Sequence, residues 1–391
     1  MESRTCVVYL TKSTINTHSR YFKSADEVPK QALFTRIASI NDTKEIVLLA
    51  AGKGKEDAVK AMNLIQQFTD RAKKDPRRIV FPEGEDERMV HSAVQVKTEG
   101  IAEPIILGDT DIIKQVAADT GLSLEGVAVI NPHKDDRLET FVEIYAGNRE
   151  IKPAIARKLM RRPLAFGGML VREGYADGIV GGVSSVTAIV VQVASLTIGL
   201  TDGVYIPTSY FIMVIPDFLG EKDKIFIFAD SAVNIQPTAQ QLAESSVAVA
   251  ADAACLLGIV PKVAFLSCST KGSASHKDVD KVFEAVLIAR EMAPDLALDG
   301  ELQADAAIVP RVAAKKVKES DVAGEANVLI FPDLDAGNIA YKLVQYTANA
   351  LALGPVLVGF NRPVNDLSRG ATVEDIIGIT AITVIQAQAA K

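Results

Sequence analysis

The stretch NDLSRG, Asn365 to Gly370, is followed by Thr372 and Asp375 and places a hydroxyl, a guanidinium and a carboxylate at the start of an apolar run. Arg369 can grip a phosphate with its planar fork, Ser368 can donate or accept a hydrogen bond, and Asp375 can accept a proton near the same helix start. Each also has a plainer reading. Asp375 can complete a capping box opened by Thr372, Arg369 can be half of a surface ion pair, and Ser368 can form a turn. A second loop, Cys268-Ser269-Thr270-Lys271-Gly272-Ser273, follows the apolar VAFL and precedes a helical pattern. Its backbone N–H groups, hydroxyls and single ammonium are the groups that surround a phosphate or phosphoanhydride. It is not a Walker A loop, because Lys271 precedes Gly272 and no glycine stands upstream at the required distance. A plain strand-to-helix connection is the competing reading.

Other chemistry-bearing residues are scattered. Asp230, Asp333 and Asp335 fall just past apolar strands, where single carboxylates read as turn and cap residues rather than magnesium ligands. No metal is expected. His18, His91, His133 and His276 show no ligand spacing, and Cys6, Cys255 and Cys268 form neither a metal-ligand pattern nor a disulfide framework. Cys268 beside Lys271 could be drawn as a thiolate, but it reads as a small buried residue.

These loops need a scaffold, and from Arg78 onward the chain supplies one by alternating short apolar strands, small polar loops and amphipathic helices. That alternation predicts an α/β fold with mainly parallel sheet. The clearest strands are IFIFAD (Ile225 to Asp230), VAFLS (Val263 to Ser267), LALDG (Leu296 to Gly300), NVLIFPD (Asn327 to Asp333) and PVLVGF (Pro355 to Phe360). Thr238 with Gln241 and Thr372 with Asp375 predict capped helix starts. Ligands in such sheets sit beyond the carboxyl ends of the strands, where the candidate loops lie. A net charge of -7 argues against nucleic acid, whose phosphates require a surplus of Lys and Arg on one face. The longest apolar run, Ala188 to Leu200, is too short to cross a membrane, and the N-terminus lacks a signal-peptide stretch, so a reducing cytoplasm is expected.

In this order, FPEGED (Phe81 to Asp86), FADSAVN, LSCSTKGS, DGELQADAAIVP (Asp299 to Pro310), VAGEANVLIFPDLDAGNIAYK (Val322 to Lys342) and PVNDLSRG resemble the phosphate acetyl/butyryltransferase family. The resemblance runs from about Arg78 to the C-terminus. It implies a two-domain α/β subunit of isocitrate/isopropylmalate dehydrogenase-like fold, with residues 67–203 and 354–391 in one domain and 204–353 in the other. A cleft between domains, a homodimer, and metal-free acetyl transfer between acetyl-CoA and inorganic phosphate are also implied, with coenzyme A as substrate and no cofactor. By motif, Ser368 and Arg369 match the family's active-site pair and Asp375 the residue that takes the thiol proton. Ser269, Thr270, Lys271, Gly272 and Ser273 would bind substrate. The chain departs from the family at YAGNRE, where Arg149 stands in for a substrate-binding arginine, and at Val190, which replaces another. Butyryl or other acyl transfer, an acetyl-CoA-binding regulatory module and a same-fold NAD-dependent dehydrogenase are the alternatives. Residues 1–66 tell a separate story: Ile15 to Leu33 and Lys44 to Met62 resemble part of glucosamine-6-phosphate deaminase. Arg20 and Lys55 match its sugar-phosphate positions, but the segments supplying its base and histidine are absent, which implies an inactive remnant.

Overall fold

The computed structural model describes residues 64–147, 149–202 and 204–390. The deaminase-like stretches, including Arg20 and Lys55, lie outside the described residues. The strands are β1 (Arg77–Phe81), β2 (Ala102–Leu107), β3 (Ala128–Ile130), β4 (Gly178–Gly181), β5 (Thr208–Phe218), β6 (Glu221–Ala229), β7 (Val263–Leu266), β8 (Leu298–Leu302), β9 (Val328–Ile330), β10 (Leu351–Val358) and β11 (Val364–Asp366). They form two sheets. One is parallel throughout, in the order β11-β4-β1-β2-β3. The other runs β10-β5-β6-β9-β7-β8 and is parallel from β6 to β8.

All five sequence-read strands are present, so the fold is mixed α/β with mainly parallel sheet. The second sheet also contains an antiparallel hairpin that its sequence disguises. Strand β5 is buried along most of its length and lacks a clean alternation, while the turn to β6 is made by Leu219 and Gly220, both with left-handed backbone (φ 54° and 89°). That handedness matches the twist of a tight hairpin, but Leu at such a position is no turn signal. Strand β10 pairs with β5 on both sides of residue 354, so the chain returns to the first sheet only after Val358.

Helices α1 (Glu87–Thr98), α2 (Thr110–Asp119), α3 (Arg137–Gly147), α4 (Pro153–Met160), α5 (Pro163–Arg172) and α6 (Thr187–Thr197) accompany the first sheet. Helices α7 (Ala239–Leu257), α8 (Lys277–Met292), α9 (Ala304–Ile308), α10 (Pro310–Lys316) and α11 (Leu334–Thr347) accompany the second. Both predicted capping boxes form, at the start of α7 and at the start of the last helix, α12 (Val373–Ala389).

Helix α12 joins the two sheets. Ile376, Ile377, Ile379, Ile382, Val384 and Ile385 are buried on all its sides, and a helix without a polar face is stable only when surrounded. It packs against α1, β1 and β4 of one layer and α7 and β10 of the other. Its buried Thr380 and Thr383 satisfy their hydroxyls on the carbonyls of Ile376 and Ile379, each at 2.7 Å. Asn365 of β11 donates to Thr383 Oγ1 and Gln386 Oε1, both at 2.8 Å, and accepts from Leu357 N at 2.8 Å. One amide thus fixes β11, β10 and α12 together.

Truncating Ile382, which is fully buried, should leave a cavity between the layers. Ile382→Ala is expected to cost about 2–5 kcal/mol, read as a lower urea midpoint at unchanged slope. A loss below ~1 kcal/mol would mean that α12 is not the packing centre.

Candidate active site

Strand β11 ends at Asp366 and α12 begins at Val373, so the NDLSRG loop is held between a sheet edge and the buried helix that joins the two sheets. It opens onto a cleft of ≈ 720 Å³ lined by Ser368, Arg369 and Asp375, by Ser185 to Thr187 at the start of α6, and by Asn338, Tyr341 and Lys342 of α11. The three predicted catalytic residues are therefore together, at the carboxyl ends of β4 and β11.

Asp375 completes the capping box that Thr372 opens. Its Oδ2 accepts from Thr372 N at 2.9 Å and Thr372 Oγ1 at 3.1 Å, while Thr372 Oγ1 accepts from Asp375 N at 3.2 Å. Among the described residues only that oxygen is engaged, and the exposed carboxylate lies on the cleft wall. Ser368 accepts from Gly370 N at 3.3 Å through its hydroxyl and from Ala371 N at 2.9 Å through its carbonyl, which tightens the turn. The Arg369 side chain is exposed on the cleft wall.

Two residues missed in the sequence hold the walls in place. Arg88 donates from Nη1 to the carbonyls of Arg369 and Ala371, both at 2.9 Å, and pairs with Asp86 at 2.8 Å. The Arg88 hydrogen bonds keep the Asp86 carboxyl below the usual carboxylate range. Glu83 accepts from the backbone N–H groups of Gly182, Val183 and Ser184 at 2.7, 2.8 and 3.1 Å and from Ser184 Oγ at 2.8 Å. FPEGED and the arginine just beyond it thus clamp the loops after β4 and β11. The signal was the quoted motif itself, but its partners lie about a hundred and nearly three hundred residues away.

Asp366 is the third missed residue. Thr187 Oγ1 donates to its Oδ2 at 2.6 Å, tying the start of α6 to the end of β11, and its Oδ1 is buried without a partner. Gly182, at φ +119°, lets the backbone pass that carboxyl, since a Cβ there would clash with Oδ1 and come within 2.6 Å of Leu367 O. Burial pushes the Asp366 carboxyl up to about 7, with the nearby Glu83 charge adding to it, against hydrogen bonds from Thr187 and Leu367 N.

The remaining predicted residues are elsewhere. In the Ser269 to Ser273 loop, Ser269 Oγ donates to Glu301 Oε1 at 2.9 Å and Gly272 N to the same atom at 2.7 Å. Thr270 N donates to Ser273 Oγ at 2.9 Å, and Lys271 Nζ bonds the Asp299 carboxylate and, at 2.8 Å, Gly300 O. Strand β8 takes the Ser269 hydroxyl, the Gly272 N–H and the Lys271 ammonium, the loop itself takes Thr270 N–H, and Lys271 lines a different cavity with Arg290 and Asp299. Arg149 donates to Leu196 O at the far end of α6 and lies 4.4 Å over the Tyr145 ring, outside the Ser368 cleft. Val190 is buried in the first-sheet core. Cys268 is exposed, not buried as its residue type suggested, because it lies beyond the last buried residue of β7. Asp333 caps α11 through Ala336 N at 2.8 Å, and Asp230 accepts from the backbone N–H groups of Ala232, Val233 and Asn234, as expected of turn and cap residues.

The raised Asp366 carboxyl has a thermodynamic consequence. The unfolded chain releases this proton near pH 4 and the folded chain near pH 7, so folded protein holds more protons between them and stability falls as pH rises through that window. Asp366→Asn cannot ionise. Thermal melts from pH 4 to 8 should show the variant regaining up to on the order of 4 kcal/mol at the upper end. Parallel pH profiles would refute the assignment.

Comparison with known proteins covers the same part of the chain as the site. A family model described as phosphate acetyl/butaryl transferase matches residues 63–384. The phosphate acetyltransferase of Thermoanaerobacterium thermosaccharolyticum is 44% identical over 330 residues, 84% of this chain and 100% of that protein. That of Corynebacterium glutamicum is 46% identical over 320 residues, 81% of this chain and 95% of the relative. A solved phosphotransacetylase from Streptococcus pyogenes superposes with a TM-score of 0.78 at 43% identity, covering 84% of this chain and 99% of that one. With the family model spanning both sheets, both clamps and the NDLSRG loop, the chain belongs to the phosphate acetyl/butaryl transferase family.

Proposed function

We propose that the chain is a phosphate acetyltransferase, moving an acetyl group reversibly between acetyl-CoA and inorganic phosphate in the Ser368 cleft. The observation that carries this reading is the meeting of Ser368, Arg369 and Asp375 in one cleft, with one Asp375 oxygen left over from the cap. With acetyl phosphate as the acetyl donor, the coenzyme A sulfur bonds to the acetyl carbon, the carbon–oxygen bond to phosphate breaks, and phosphate leaves with the electron pair. The thiol proton goes to Asp375 Oδ1.

Ordinary carboxylates (pKa about 3.9) and thiols (about 8.5) differ by roughly 4.6 units, or about 6 kcal/mol against prior deprotonation. Proton transfer therefore accompanies attack. Arg369 supplies a charged fork for the phosphoryl oxygens, and α6 offers its first-turn N–H groups beside it, since Val186 provides no side-chain cap. Ser368 hydrogen-bonds the carbonyl oxygen as charge builds there. On this reading Arg, Ser and backbone donors suffice without metal or cofactor, and the two domains divide after residue 203 and, because β10 stays paired to β5 as far as Val358, after residue 358 rather than 353. We further infer a cytoplasmic homodimer. Phe283, Leu287 and Met292, exposed on α8, support an apolar contact. None of the described helices is long and apolar enough to cross a membrane.

Deleting residues 1–60, which lie outside the family match, should leave acetyl transfer largely intact; a folded but inactive product would sink that expectation. Asp375→Asn keeps the cap geometry and should cost only about 0.3–1 kcal/mol of stability. Its acetyl transfer should fall by about 10²- to 10⁴-fold with acetyl phosphate binding little changed. Arg369→Ala should instead weaken phosphate-side binding as well as turnover, by roughly 1.5–3 kcal/mol. Near-normal turnover in Asp375→Asn with a lowered melting temperature would leave the carboxylate as a cap alone.

A further inference from the structure

The chain leaves the five-stranded sheet after α6 and returns to it before β11, and these two crossings are paired. Leu200 and Phe360 form an antiparallel bridge, Thr201 N donates to Gly359 O at 3.0 Å, and Asn361 N donates to Gly199 O at 3.1 Å. Beside them lies a cavity of ≈ 380 Å³ whose lining includes Arg149, Arg172, Arg362, Thr197, Gly199 and Asn361. Three guanidiniums from three separate segments thus converge, and no carboxylate is in that lining.

Their local compensation is incomplete. Arg149 meets the carbonyl end of α6 through Leu196 O, which answers the helix dipole there. Arg172 has a single carboxylate neighbour, Glu173, at 3.3 Å. Arg362 is exposed and makes no hydrogen bond or ion pair to a described residue. Two cations in excess, in a chain of net charge -7, form a local inversion of charge rather than part of a general basic surface.

We propose that Arg149, Arg172 and Arg362 form a second anion site, for a small free molecule carrying two or more phosphate groups, seated on the paired crossings between the sheets. It is distinct from the catalytic cleft. The cleft meets the N-terminal end of α6 at Ser185 to Thr187, whereas this cavity meets its C-terminal end at Thr197 and Gly199, about 16 Å away along the 11-residue helix, and the two linings share no residue. A bound polyanion bridges Arg172 of the first layer to Arg362 of the return crossing.

The test uses inorganic tripolyphosphate as probe on the full chain, by isothermal titration at 0.15 M salt. One saturable site per chain is expected, weakened at least tenfold in Arg362→Gln and in Arg172→Gln/Arg362→Gln, with melting curves like the parent's. Coenzyme A at saturation should leave probe binding unchanged. Displacement of the probe by coenzyme A or by adenosine 3′,5′-bisphosphate would assign the site to the substrate's own nucleotide end and overturn the proposal. Absence of saturable binding, or equal binding in the parent and the double variant, would overturn it as well. This binding readout is independent of acetyl transfer.

Discussion

Helix α12 has no polar face, and the need to bury it on every side is the constraint on which the rest of the structure depends. No single sheet can cover a helix all round. The first sheet supplies β1, β4 and α1, the second supplies β10 and α7, and the layers meet on the helix between them. Its first turn escapes, and there the capping box of Thr372 and Asp375 satisfies orphan N–H groups in the open. A helix buried between the two sheets therefore ends in an exposed carboxylate at the cleft. Preorganisation follows from burial.

The walls opposite that carboxylate are held by charge. Glu83 takes three successive backbone N–H groups after β4, and Arg88 takes two carbonyls after β11, so loops distant in sequence are fixed against one short segment that runs from the end of β1 into the first turn of α1. Charge-assisted bonds of this kind are shorter and stronger than neutral ones. Asp366 works the other way. Its burial beside Glu83 raises its pKa and costs stability near neutral pH, but its bond to Thr187 joins the two loops that flank the cleft.

Much of this was legible in the sequence, and the misses share a cause. Strands β6 to β10, both capping boxes and the Ser368, Arg369 and Asp375 cluster were read from local patterns, because apolar runs, caps and turn residues act over a few positions. What local patterns do not show is which partners lie across the strands. The Ser269 to Ser273 loop has phosphate-binding composition, yet the β7–β8 pairing sets Asp299 and Glu301 against it and consumes its donors. Arg149 went to a helix end and Arg88 to a loop nearly three hundred residues on, and neither pairing is written in spacing. The β5–β6 hairpin was hidden because its turn uses Leu219 where Asn or Gly would have announced it.

The central claim is that this cleft joins a thiol to an acetyl group and releases phosphate. The most direct measurement follows purified chain with acetyl phosphate and coenzyme A, recording thioester formed and phosphate released in the same sample. Equal amounts of both, appearing together with catalytic turnover, are predicted. Phosphate release without thioester would make the cleft a hydrolase, and coenzyme A binding with neither product would make it a binding module; either result contradicts the account.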